Sequence, residues 1–276
     1  MAKWVFLNDD LIEEEKATVH FKDLAFQRGY GVFDFFRIHD NKPLFLNDHL
    51  DRFYASACGM HLPIGGTRQQ LMEKIEALIS KNGQPDSGIR LSLTGGYSED
   101  GFNPGRPNFL VTQHSFTNPG PEQVQKGIRL FTYPHRRQLP EIKSIDYLMA
   151  VWLQSKRMEA GADDILYYQD GLISECPRSN FFLVTADNRI LTPAAHVLKG
   201  ITRKKLIELA EKEFVVEERD ISLDDMHSAK EAFITSTTRQ VLPVRQIDSI
   251  TYPQTAVSLH LRQRFRLTYL EKQQPV

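Results

Sequence analysis

Lys143 stands between Ile142 and Ile145, just ahead of the apolar stretch that begins Tyr147-Leu148. A lone lysine is by default a solvated surface group. Here the apolar flanks predict burial, which depresses an ammonium pKa and makes the amine nucleophilic toward a carbonyl. Glu175 closes Gly171-Leu172-Ile173-Ser174-Glu175, ahead of Ser179-Asn180-Phe181-Phe182. Taken alone it reads as an exposed loop carboxylate. Gly200 permits a tight approach of backbone, and Ile201 and Thr202 then open a helix. The free N–H groups and positive end of such a helix suit a phosphate, although a plain helix start after a glycine turn has the same sequence. Ser236-Thr237-Thr238 ends a predicted strand. Hydroxyls there can hold phosphate oxygens, or act only as turn residues. Jointly these segments suit a cofactor that carries an aldehyde and an anion.

The elements that must position them alternate in type. Val32 to Ile38 is rich in β-favouring residues, and Pro43-Leu44-Phe45-Leu46 follows the turn at Asp40-Asn41-Lys42. Thr67 caps a predicted helix whose stripe is Leu71, Ile75, Leu78 and Ile79, with Gly83 as its stop. Ile89 to Thr94 and Asn108 to Thr112 read as strands. The prolines and glycine of 117–122 mark a linker. Beyond it, Ile128 to Thr132, Ile165 to Tyr168, Phe181 to Val184 and Ala232 to Ser236 read as strands. Tyr147 to Glu159, Thr202 to Glu213 and the stripe Val257, Leu261, Phe265, Tyr269 read as helices. The predicted architecture is α/β, with a domain at 1–117, a linker at 118–123 and a second domain at 124–276.

Composition excludes several classes. The chain has 276 residues with 34 Lys+Arg against 35 Asp+Glu, a net formal charge of −1, which argues against binding through nucleic-acid phosphates. Apolar residues make up 41% and charged residues 25%, as in ordinary globular domains. No apolar run approaches the roughly 18 residues of a membrane span. The start, MAKWVFLNDDLIEEEK, lacks a secretory profile, so a cytoplasmic location is expected. Cys58 and Cys176 do not make a disulfide framework, and the nine histidines lack H-x-x-x-H spacing, so no metal is expected. Phosphate-loop, dinucleotide and nucleophile-elbow motifs are absent. His135-Arg136-Arg137 reads as a solvated basic loop.

In order and spacing, the segments around Lys143, Glu175, Gly200 and Ser236 resemble the class IV aminotransferases, pyridoxal 5'-phosphate (PLP) enzymes of fold type IV. His49-Leu50-Asp51-Arg52-Phe53-Tyr54-Ala55-Ser56-Ala57 is similar to that family's H-x-x-R-[LF]-x-x-S-A. The resemblance implies a smaller N-terminal and a larger C-terminal domain with the active site between them, a homodimer, and amino-acid and 2-oxo-acid substrates. It implies that Lys143 forms the Schiff base and moves the proton, and that Glu175 pairs with the pyridine nitrogen. It further assigns Arg52, Ile201, Thr202, Ser236 and Thr237 to the phosphate and Tyr147 to the phenolic oxygen.

Specificity is divided. D-amino-acid transaminases hold the α-carboxylate with a tyrosine plus an Arg-x-His pair. Phe33 stands at the tyrosine position, and the loop 95–104 contains no Arg-x-His. Ile89-Arg90-Leu91 and Gly101-Phe102-Asn103-Pro104 are similar to the I-R-P and G-x-N-P segments of branched-chain enzymes. Ser179-Asn180-Phe181-Phe182 and Thr235-Ser236-Thr237-Thr238 resemble the D-transaminase and lyase versions instead. Arg28 and Arg90 are candidate carboxylate anchors, with Phe33, Tyr30 and Thr238 completing the substrate set and Arg178 a further candidate for the same field. The expectation is a D-amino-acid transaminase acting on substrates of the D-glutamate and D-alanine type with a rearranged carboxylate trap. The alternatives are an L-branched-chain aminotransferase, an aminodeoxychorismate lyase, and a cofactor binder without turnover; retention of both Lys143 and Glu175 counts against the last.

Overall fold

The computed structural model describes residues 3–271, in two compact units. Of the described residues, the first comprises 3–117 and the segment Ile142–Asp146; the second comprises Asn118–Glu141 and 147–271.

The first unit is built on a six-stranded antiparallel sheet. Its order is Asp10–Glu13, Trp4–Leu7, Phe109–His114, Ser87–Thr94, Gly31–His39 and Lys42–Pro43. Period-two alternation along Gly31–His39 sends Val32, Phe36 and Ile38, all fully buried, to one face. There they pack with Leu50, Phe53, Leu71, Ile75 and Leu78 of the helices Leu46–Gly59 and Arg68–Asn82. Thr67 and Gln70 form a capping box at the start of the second helix, and Gly83 ends it in the left-handed region at φ 61°. The opposite face carries Phe33 and Phe35, which register with Ser92 and Arg90. Phe35 lies so close over Gly88 that a Cβ there would fall 2.0 Å from its ring.

The sequence assigned Lys143 to the second domain. Instead Ile142–Asp146 joins the first unit, through an antiparallel bridge between Ser144 and Val32. Lys42–Pro43 covers Gly31–His39 only at Ile38 and His39, so the start of that edge is open to the bridge.

The second unit is an eleven-stranded mixed sheet. Its centre is Ser179–Val184, Glu231–Ser236 and Gln240–Ile247, antiparallel to one another, with Ile128–Pro134 and Asp164–Gln169 added in parallel. Glu175–Cys176 pairs with Ser179–Val184 off the main path. One core gathers Phe181, Leu183, Ile234, Leu242 and Val244. The alternate residues Phe182 and Phe233 stack with ring centroids 4.8 Å apart. Helices Ile201–Ala210 and Ala256–Tyr269 belong to this unit.

Two elements differ from expectation. The predicted helix Tyr147 to Glu159 is broken into Leu148–Trp152 and Gln154–Glu159. The break is at Leu153, which is fully buried against Ile165 and Tyr167 while both short helices bury no residue of their own. The expected linker holds the start of a helix, Pro121–Lys126, because proline suits the first helical position. Val124 of that helix packs on the second unit's core. No helix among the described residues is long and apolar enough to cross a membrane.

Candidate active site

The lysine segment is fixed through its backbone. Lys143 N–H donates to Ser56 Oγ at 3.1 Å, and its carbonyl accepts from Phe33 N–H at 2.9 Å. Ile145 N–H donates to Gly31 O at 3.0 Å. Ile142 packs against the first unit's core, so close to Gly59 that a Cβ there would lie 2.8 Å from its Cδ1. With the backbone held, Lys143 Nζ comes 4.5 Å from the centroid of the Phe33 ring. The Arg90 guanidinium carbon lies 4.1 Å from the same centroid, and Arg90 Nε donates to Ser92 Oγ at 3.2 Å. One ring therefore faces both the Lys143 amine and the Arg90 guanidinium.

Behind this face lies a buried ion cluster that the sequence did not reveal. Asp34 shares the core-facing parity of Val32 and Phe36 and is fully buried. Its carboxylate accepts from Arg52 Nε and Nη2, both at 2.8 Å, and from His49 Nδ1 at 2.7 Å. Burial alone would raise the Asp34 pKa, but the Arg52 charge and then His49 outweigh it and hold the carboxyl below the usual range. Burial pushes the His49 pKa down despite Asp34. A neutral imidazole donating from Nδ1 to an ionised Asp34 satisfies both. The Nε–Nη2 edge of Arg52, expected to hold a phosphate, is thus committed to Asp34.

The second unit presents the acidic and phosphate-binding candidates. Glu175 is buried, at 5% exposure, rather than in an exposed loop. The cause is its place in the Glu175–Cys176 strand, where the register aligns Glu175 with Asn180 and Asn180 with Thr235 on one face of the sheet. Glu175 Oε1 accepts from Arg137 Nε at 2.9 Å, and Oε2 accepts from Leu198 N–H at 3.0 Å. Arg137, expected in a solvated loop, is therefore the cation paired with this carboxylate. No local signal marked it, since its partner is 38 residues away.

Asn180 Nδ2 donates to Leu198 O at 2.7 Å, so Glu175 and Asn180 together hold both backbone groups of Leu198. That residue leads into Gly200, where a Cβ would collide with Asn180 Oδ1 at 2.1 Å. The helix Ile201–Ala210 then begins with no side-chain cap, and Ile201 and Thr202 are both buried at its first turn. Ser236 Oγ accepts from Arg239 N–H at 3.2 Å; Thr237 and Thr238 sit half-buried in the following turn. Thr235 Oγ1 and Ser179 Oγ are buried hydroxyls without a hydrogen-bond partner. Buried hydroxyls are ordinarily satisfied, so these two await a ligand or water.

The remaining candidates are dispersed. Arg28 is exposed at the end of Leu24–Arg28, with Nη1 donating to Gln27 O at 3.0 Å. A Cβ on Gly101 would lie 3.7 Å from Arg28 Nη2, so the loop 95–104 approaches it. Asp100 organises that loop by accepting from Phe102 N–H, Asn103 N–H and Ser98 Oγ. The Tyr30 hydroxyl donates to Met60 O, which ties it to packing in the first unit. Arg178 is exposed and Tyr147 half-buried.

These groups fit PLP by their chemistry. A buried carboxylate paired with an arginine suits a protonated ring nitrogen, and uncapped helix N–H groups with nearby hydroxyls suit a phosphate. Comparison with known proteins agrees. The family model described as amino-transferase class IV matches residues 31–247. D-alanine aminotransferase of Bacillus licheniformis is 32% identical over 258 residues, covering 90% of this chain and 89% of the relative. The branched-chain amino acid aminotransferase of Escherichia coli superposes with a TM-score of 0.90 at 25% identity, covering 99% of this chain and 98% of that one. A T.th. branched-chain amino acid aminotransferase with pyridoxamine 5'-phosphate gives a TM-score of 0.88 at 25% identity, over 96% and 94% of the two chains. The chain belongs to the class IV aminotransferases, whose cofactor is PLP.

Proposed function

We propose that this aminotransferase moves the amino group of a D-amino acid, of the D-glutamate or D-alanine type, to 2-oxoglutarate or another 2-oxo acid. The observation that carries the reading is the Arg90 guanidinium held on the Phe33 ring that also faces Lys143 Nζ. A guanidinium fixed on the same ring that the reacting amine approaches favours a substrate with a second carboxylate. The similarity to a D-alanine aminotransferase supports the D-amino-acid half of the reading. Arg28 is the second proposed carboxylate anchor, with Phe33 and Thr238 at the substrate.

When bound, the cofactor supplies an electron sink for the substrate's α-carbon. Lys143 Nζ takes the proton from that carbon and returns it on the other side of the transfer. Arg137 pairs with and orients Glu175, whose carboxylate accepts a hydrogen bond from the pyridine nitrogen. The Ile201 and Thr202 N–H groups, with Ser236 and Thr237, hold the phosphate, and Arg52 contributes through the amino group turned away from Asp34. Tyr147 is assigned to the phenolic oxygen. A homodimer in the cytoplasm completes the proposal.

Arg28→Ala and Arg90→Ala enzymes test it through their affinity for 2-oxoglutarate. Each is expected to weaken that affinity about tenfold or more, as loss of a charge-assisted bond does. Parent-like affinity in both would overturn the carboxylate-anchor reading. A second reading, an L-branched-chain aminotransferase, draws on the apolar Phe33 and Phe35 sharing the Arg90 face, and on the two branched-chain structures above.

A further inference from the structure

We propose that Ser92 is a positioning residue for substrate choice: its hydroxyl, together with the Phe33 ring, fixes the Arg90 guanidinium as the reader of a substrate's second carboxylate. The inference rests on the role given to Arg90 above and adds the group that makes that role selective.

Residues Arg90 and Ser92 are two apart on the strand Ser87–Thr94, so both point to the face that carries Phe33 and Phe35. Ser92 is directly opposite Phe33 in the register. The ring and the hydroxyl therefore arrive from neighbouring strands at the same place. Their contacts with Arg90 are complementary. The ring, 4.1 Å from the guanidinium carbon, restrains the plane of the group. The hydroxyl, 3.2 Å from Nε, restrains its rotation within that plane. A long arginine side chain otherwise loses much rotamer freedom when it meets a ligand. Here that loss is taken on folding rather than on binding.

The bond engages Nε. An end-on carboxylate contact through Nη1 and Nη2 does not compete with it. Ser92 and Arg90 are both half-buried, so water competes weakly for the hydroxyl. Ser92 thus acts through Arg90 and needs no contact with the reacting atoms. A monocarboxylic 2-oxo acid lacks the second carboxylate that the fixed guanidinium reads, and its binding is insensitive to this device.

The test uses enzyme loaded with pyridoxamine 5'-phosphate and follows single-turnover absorbance with 2-oxoglutarate and with 2-oxobutyrate. The readout is the ratio of the apparent dissociation constants of the two acids. Ser92→Ala is expected to shift that ratio against 2-oxoglutarate about tenfold, and Ser92→Thr to restore it to within about twofold. Equal weakening of both acids, or an unshifted ratio in Ser92→Ala beside a shifted one in Arg90→Ala, overturns the positioning role and leaves the reading of Arg90 intact. An unshifted ratio in Arg90→Ala overturns both. Because 2-oxo acids have no α-stereocentre, the outcome is independent of the donor's handedness.

Discussion

The two units present their functional groups in different ways. On the first, polar groups are tied to one another: Arg52 and His49 to Asp34, and Arg90 to Ser92 and Phe33. On the second, Glu175 pairs with Arg137 and joins Asn180 in holding the backbone of Leu198, while Thr235 Oγ1 and Ser179 Oγ are left without partners. The first is organised around a fully buried carboxylate and its cations; the second adds backbone bonds to a single ion pair and keeps hydroxyls in reserve. The difference teaches where each kind of perturbation should act. Losing a charge should damage the first unit's stability, whereas losing the cofactor should loosen the second.

The largest effect is expected at the reacting amine. Lys143→Ala should lower the transamination rate by about 10^3-fold or more, the range of a lost general acid–base group. Because Lys143 N–H and C=O hold the segment through the backbone, the thermal midpoint should stay near the parent's. A large drop in the midpoint would show that the side chain, too, is part of the first unit's frame.

Next comes the buried cluster. Asp34→Asn leaves Arg52 without its counterion and should cost about 3–5 kcal/mol in denaturant unfolding. The pH dependence has a defined sign. The folded pKa of Asp34 is depressed, so its contribution is present above about pH 4 and is lost as pH falls toward the folded value. The His49 pKa is lowered by burial, so the unfolded chain takes up its proton first and stability also falls below about pH 6.5. Parent protein should show both losses on acidification. Asp34→Asn should lose the lower one, and an unchanged acid limb would contradict the assignment.

Cofactor removal sharpens the contrast. Saturation at a hundredfold excess over Kd is worth about 2.7 kcal/mol, and this should vanish in the apoenzyme. Hydrogen exchange should then rise at Ser179–Val184 and at the start of Ile201–Ala210, with Gly31–His39 least affected. Uniform deprotection of both units would erase the distinction drawn above.

A smaller effect is expected at Arg137. Arg137→Met should slow the half-reaction about tenfold by removing the partner that orients Glu175, with the cofactor retained. Rates equal to the parent's would reduce Arg137 to a packing residue.

Much of this arrangement is legible in the sequence where the signal is local. Thr67, Gln70 and Gly83 mark their helix because capping needs only neighbours. Gly200 ahead of Ile201 marks an uncapped helix start for the same reason. Asp34 was within reach, since strand parity puts it on the face of Val32 and Phe36, where an acid must find a cation. Arg137 and the burial of Glu175 were not, because the groups that close over Glu175, Arg137 and the Leu198 backbone, lie 38 and 23 residues away in the chain. The membership of Lys143 in the first unit likewise depends on a bridge to Val32, far back in the chain. The break at Leu153 has no proline or glycine to announce it and follows from tertiary burial alone.

The central claim is that the enzyme takes D-amino acids. Its most direct test is the absorption change of PLP-loaded enzyme mixed separately with D-glutamate, D-alanine, L-leucine and L-glutamate. Conversion to the pyridoxamine-phosphate spectrum by the D-substrates alone is the expected result. Conversion by L-leucine or L-glutamate alone would contradict it and assign the chain to branched-chain substrates, and no conversion by any of the four would point to a lyase.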